Sequence, residues 1–284
     1  MSKERSEIGA GSEGMSDEKF ATMIERAVDP STPPVDPSIV PERAAMSVPF
    51  TVRARLSAGY AHATPWGISL DGLLASEVWE SRKAAARAAN TEWSAYDVRI
   101  VPEDIDLPFE RCDSGDGNWH WAATFAYPQD AVPGPHVQMW TGRPDQQALA
   151  QLTDNLPAHV DPRKGRFRSW VMPLPMTVAP TLVWRGLGDP AAVGEMLSSV
   201  VSIGKKRASG HGLVLDWAIE PDADADADRW EFGHLHPDGT LGRTVPAACL
   251  GGRESIVHGG VGRMGMRPPY MHPRMRADVV LPAM

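Results

Sequence analysis

The stretch Thr181–Glu220, TLVWRGLGDPAAVGEMLSSVVSIGKKRASGHGLVLDWAIE, reads in order as strand, turn, helix, glycine-rich basic loop and strand. Leu182 and Trp184 alternate with Val183 and Arg185, the period of a half-buried strand. Asp189 offers an N-cap and Pro190 sits at the first helical position, where its missing N–H costs nothing. Val193, Met196, Leu197 and Val200 then recur at helical spacing and form one apolar stripe. Lys205, Lys206 and Arg207 lie between Gly204 and the pair Gly210, Gly212. Leu213, Leu215, Trp217 and Ile219 alternate with Val214, Asp216, Ala218 and Glu220 in a closing strand. A β-α-β unit with a glycine-rich, cationic last connection suits an anionic polymer better than a small apolar ligand.

Upstream, Phe50, Val52, Ala54 and Leu56 alternate with Thr51, Arg53, Arg55 and Ser57, giving a first strand. Ser69 is placed to cap a helix that buries Leu70, Leu73, Leu74, Val78, Ala85 and Ala89, ends near Asn90, and carries Glu80 and Lys83 on its exposed side. Trp119, Trp121, Ala123, Phe125 and Tyr127 predict another strand, and a further one is expected within 98–110. The sum is α+β: a ferredoxin-like (RRM-like) β-α-β-β-α-β core, interrupted by an inserted basic hairpin at about 128–180. Beyond Glu220 the sequence predicts a β-hairpin, Trp230–His236 and Leu241–Val245 around Pro237-Asp238-Gly239. Residues 251–284, with five arginines, form an irregular tail expected to pack on the body or a neighbour.

The first 45 residues are Ser-, Glu- and Pro-rich, with five basic against nine acidic side chains. Apart from one short helix around Phe20, Met23, Ile24 and Ala27, they read as a flexible extension ahead of a domain spanning 46–250. The whole chain of 284 residues carries a net charge of −8, which argues against nucleic-acid binding. Between Asp161 and Glu220, however, eight basic side chains face five acidic ones. Within the insertion, Arg163, Lys164, Arg166 and Arg168 are interleaved with Phe167 and Trp170, a composition suited to phosphate contacts and base stacking. A solvated basic hairpin has the same composition, and only the second cationic loop favours binding.

Two stretches carry a family resemblance. Ser202-Ile203-Gly204-Lys205-Lys206-Arg207-Ala208-Ser209-Gly210-His211-Gly212 resembles the G-x-G-x5-G-x-G loop of CRISPR-associated RAMP proteins, with Ser202 in place of the first glycine. Pro65-Trp66-Gly67-Ile68-Ser69-Leu70-Asp71-Gly72-Leu73-Leu74-Ala75 resembles the opening of the first helix in the third Csf subunit of type IV CRISPR complexes. The resemblance implies a non-catalytic RNA-binding subunit that grips the 5′ handle of a guide RNA (crRNA) and caps the backbone filament. Its partners would be backbone and large subunits, with target DNA reached only through the complex. The expected RNA contacts are Arg163, Lys164, Arg166, Phe167, Arg168, Trp170, Gly204, Lys205, Lys206, Arg207, Gly210, His211 and Gly212.

The rival readings are a guide-processing endoribonuclease using His62, His120 or His211 as base, and a protein-interaction module without RNA contact. Asp222, Asp224, Asp226 and Asp228 lack the glycine and glutamate of a calcium loop. Cys112 and Cys249, the two cysteines, have no paired spacing, and no histidine pair has metal spacing, so neither a metal nor a cofactor is expected. Reduced thiols and the lack of a long apolar run predict a soluble, cytoplasmic protein without membrane contact.

Overall fold

The computed structural model describes residues 47–283 apart from 65, 92–96, 116, 131, 223–227 and 254. All of these fall within the unit Pro37–Met284. The N-terminal extension, its short helix, and Asp224 and Asp226 lie outside the described residues.

The architecture is α+β, with several antiparallel sheets and few helices. Strands β1 (Val48–Leu56), β5 (Tyr127–Pro128), β8 (Thr181–Gly188) and β9 (Val214–Pro221) form a four-stranded sheet in the order β5-β8-β1-β9, every pair antiparallel. Helices α1 (Leu70–Ala88) and α3 (Pro190–Leu197) are paired with this sheet in one core. Phe50, Val52 and Ala54 of β1 lie opposite Gly186, Trp184 and Leu182, beneath Leu70, Leu73 and Leu74 of α1 and Val193 and Leu197 of α3. Trp184 and Trp217 carry indole N–H groups into this apolar layer. Each donates to a backbone carbonyl, of Ile68 and Val200 respectively, both at 2.8 Å, so neither is left unpaired.

Strand β8 is buried on both faces rather than one. Its second face, with Val183, Arg185 and Leu187, is covered by α4 (Arg229–His234), whose Phe232 lies under the Arg185 guanidinium at 4.1 Å. In β9 the strict alternation fails at one point. Arg55 opposes Asp216 and Leu56 opposes Val214, so Leu215 bulges out, half-exposed, and Val214 turns into the core.

Helix α1 starts where expected, with Ser69 Oγ accepting from Gly72 N at 3.1 Å, and Asn90 follows its end at φ +52. Its last two turns leave the body: Ala85 and Ala89 are exposed, contrary to the periodic reading, because no element among the described residues packs over them. The expected strand 119–127 is broken. Strand β4 (Trp119–Trp121) pairs with β3 (Arg111–Asp113), and Ala123 and Phe125 make single bridges to Gly186 and Ser69. No strand forms within 98–110 among the described residues. All of Trp119–Ala126 is buried, so alternation there did not report a sheet with one wet face.

The insertion holds β6 (His136–Gly142), α2 (Gln146–Leu152) and β7 (Trp170–Thr177). β7 pairs with β6 and with the two-residue β2 (Tyr60–Ala61). The predicted hairpin after Glu220 is corrected. Arg229–His234 is helical, capped by Asp228, and only a Leu235–Leu241 bridge remains of the ladder. An N-cap aspartate outweighed the short alternating pattern. The C-terminal stretch contains the antiparallel pair β10 (Val261–Gly265) and β11 (Arg276–Val280).

Candidate nucleic-acid interface

Between α3 and β9 the glycine-rich loop folds back on β2. Lys205 N donates to the Ala61 carbonyl at 2.7 Å, Gly212 N to Gly59 at 3.1 Å, and Ile203 N to Gly212 at 2.9 Å. The chain between these anchors turns through left-handed backbone at Gly204 (φ +81), Lys206 (φ +60), Gly210 (φ +85) and Gly212 (φ +68). At Gly204 and Gly212 a Cβ would also overlap a carbonyl oxygen, of Ala61 and Ile203, so these glycines fit the loop to the protein's own backbone. A Cβ on Gly210 would meet open space.

One of the loop's cations, Lys206, meets the hairpin of the insertion. Lys206 Nζ sits 5.0 Å from the Trp140 ring centre and 5.1 Å from that of Trp170. The two indoles are nearly parallel, 6.4 Å apart, and His211 edges onto Trp140 at 5.9 Å. Left-handed backbone at Lys206, costly for a residue with a Cβ, is what accompanies this placement of its ammonium over two indoles. Lys205 and Arg207 are exposed. Beside Trp170, an open cleft of about 220 Å³ is lined by Gly142, Arg143, Pro144, Leu149, Arg166, Phe167 and Arg168. Arg166 stacks on Phe167 at 4.5 Å.

Of the sequence-predicted residues, Trp170, Lys206 and His211 come together, and Arg166, Phe167 and Arg168 flank them. Arg163 and Lys164 are exposed outside the cleft, Lys164 paired with Asp161 at 3.8 Å. Trp140 and Arg143 were missed; an indole on a strand of the insertion was the available signal. Of the histidines weighed as bases, His62 is buried with both ring nitrogens engaged. Its Nδ1–H donates to the Thr64 carbonyl (2.6 Å), and Nε2 accepts from Thr177 Oγ1 (3.0 Å). Burial, with Lys205 nearby, pushes its pKa below the usual imidazole value despite the opposing Thr64 bond. His120 lies beside Cys112, His234 and Cys249.

The opposite face of the β6–β7 hairpin is apolar and open: Val137, Met139 and Val171 are 62%, 57% and 64% exposed. Among the described residues, no helix is long and apolar enough to cross a membrane.

The α+β fold thus presents a cationic glycine loop against paired indoles. Residues 48–250 match the family model described as CRISPR type IV associated protein Csf3. The chain belongs to that family and is a type IV CRISPR-associated subunit, as the Leu-Asp-Gly-Leu-Leu and glycine-loop stretches implied. No curated protein matches the chain by sequence.

Proposed function

We propose that the chain is the RNA-binding, non-catalytic subunit that holds the 5′ handle of the guide RNA and caps the backbone filament of a type IV CRISPR complex. The observation that carries this reading is the Lys206 ammonium poised over Trp140 and Trp170, with Lys205 and Arg207 exposed beside it. A single-stranded base stacks on an indole face while neighbouring cations take the phosphates. The sheet order β5-β8-β1-β9, with α1 and α3 in its core, supports a ferredoxin-like core of the RAMP kind. The apolar outer face at Val137, Met139 and Val171 suits a neighbouring subunit.

The test is equilibrium binding of guide RNA at several salt concentrations, for wild type and for the triple variant Lys205→Ala, Lys206→Ala, Arg207→Ala. Affinity is expected to fall. The slope of log affinity against log salt is expected to flatten by about 0.7 for each phosphate that the variant no longer neutralises. An unchanged slope and affinity would leave the loop facing solvent only. Assembly of the complex without any RNA contact from this chain would favour the protein-interaction reading.

A further inference from the structure

The four side chains Cys112, His120, His234 and Cys249 form a cluster that the RNA-binding reading does not use. Their ligand atoms all lie within 4.8 Å of one another, and three of the four side chains are buried. We propose that they bind one structural zinc ion.

The geometry is close to that of a tetrahedral site already assembled. Zn–S bonds of about 2.3 Å and Zn–N bonds of about 2.0–2.1 Å place ligand atoms roughly 3.3–3.8 Å apart. The two Sγ atoms are 3.7 Å apart, and Cys249 Sγ is 3.8 Å from His120 Nε2. His120 Nε2 and His234 Nε2 are 2.9 Å apart, so the ion would open that pair by about 0.4 Å.

The tautomers are suited as well. His234 Nδ1–H donates to the Trp230 carbonyl at 2.6 Å, which leaves Nε2 as a bare lone pair aimed at the other three groups. His120 is fully buried, and its Nδ1 has no hydrogen-bond partner among the described residues. Its hydrogen bonds run through Nε2, to His234 and Cys249. Nε2 is thus the nitrogen that faces the other ligands and would bind the ion, with Nδ1 carrying the proton.

The surroundings resemble the outer shell of a zinc–thiolate centre. Trp230 Nε1–H donates to Cys249 Sγ at 3.4 Å, and its ring lies flat on His234 at 4.4 Å. Two thiolates and two neutral imidazoles would cancel the charge of Zn²⁺, so the closed site could be buried without an unpaired charge. Binding releases two thiol protons and transfers no electrons. Four protein ligands leave no open position, so the ion would be structural and not catalytic.

Its mechanical effect follows from where the ligands sit. Cys112 and His120 are directly opposed on β3 and β4, His234 ends α4, and Cys249 lies in the 3-10 turn Ala247–Leu250. One ion would tie the β3–β4 pair to the segment that follows β9.

The experiment is metal analysis of the full-length chain purified without chelator under reducing conditions. We expect about one zinc per chain, absent from Cys112→Ser/Cys249→Ser and retained when the exposed His136 and His159 are replaced by alanine. To keep the test independent of how the double cysteine variant folds, the wild-type chain is also loaded with cobalt(II). A tetrahedral ligand-field spectrum with thiolate charge transfer is expected. A wild-type chain that takes up no zinc even on reconstitution would overturn the proposal. So would zinc retained by the cysteine variant, an octahedral cobalt spectrum, or a Cys112–Cys249 disulfide under those reducing conditions.

Discussion

A Cβ on Gly212 would overlap the Ile203 carbonyl oxygen at a backbone φ of +68, whereas Gly210, at φ +85, faces open space. The two glycines of one motif therefore do different jobs. Gly212→Val is expected to lower stability by about 1–3 kcal/mol through strain and overlap together. Gly210→Val should cost only the conformational part, about 1 kcal/mol. Thermal melts of the two variants check the order; equal destabilisation would mean the overlap at Gly212 relaxes freely. His62 gives a second test. Its folded pKa is depressed, so its neutral form favours folding above about pH 6.5, and that contribution is lost as pH falls through the folded value. The melting temperature of wild type should drop more steeply from pH 7 to pH 5 than that of His62→Asn. Parallel curves would show that His62 does not titrate there.

Among the elements, α1 shows why its sequence was legible. Leu70, Leu73 and Leu74 enter the core, Ser69 caps the first turn, and Gly72 leaves room for that cap, since a Cβ there would collide with Ser69 Oγ. Ser69→Ala is expected to cost about 1 kcal/mol, read by denaturant unfolding. Local chemistry of this kind is written in consecutive residues, as it was for Asp189 and Pro190 of α3. The stretch 119–127 was misread because burial on every side removes the polar alternate that gives a strand its period. The β6–β7 hairpin was legible as a basic insertion but not as the partner of the glycine loop. That pairing joins residues distant in sequence and depends on Trp140. A double-mutant cycle between Trp140→Ala and Lys206→Ala should return a coupling of about 0.5–1 kcal/mol in folding stability. A coupling of zero would mean the ammonium over the rings is as well off in solvent.

For the molecule as a whole, the two ends are expected to behave oppositely. Deleting residues 1–44 should leave the melting temperature nearly unchanged, because their composition offers little apolar surface to bury. Ending the chain at residue 260 should abolish soluble expression, since Val279 and Val280 are buried and Val280 pairs with Val245. Soluble, folded protein from the short chain would contradict this. The Cys/His cluster was illegible for the same reason that the tail is needed: Cys112 and Cys249 are 137 positions apart, and only the fold brings them together.

Asp71 adds a constraint in time. Its carboxylate is fully buried, takes the Tyr270 hydroxyl on both oxygens at 2.8 and 2.9 Å, and lies 3.9 Å from the equally buried Arg243. Burial raises its pKa, while Arg243 and Tyr270 pull the other way. Tyr270 lies 199 residues downstream. At about 5–20 residues per second the ribosome needs roughly 10–40 s to deliver it after Asp71 has emerged. Until Tyr270 has been made, the start of α1 carries an acidic group without the hydroxyl that meets it in the folded chain, so burying it in that interval is costly. A chain cut short before Tyr270 is therefore expected to stay open to proteases, which limited proteolysis would check.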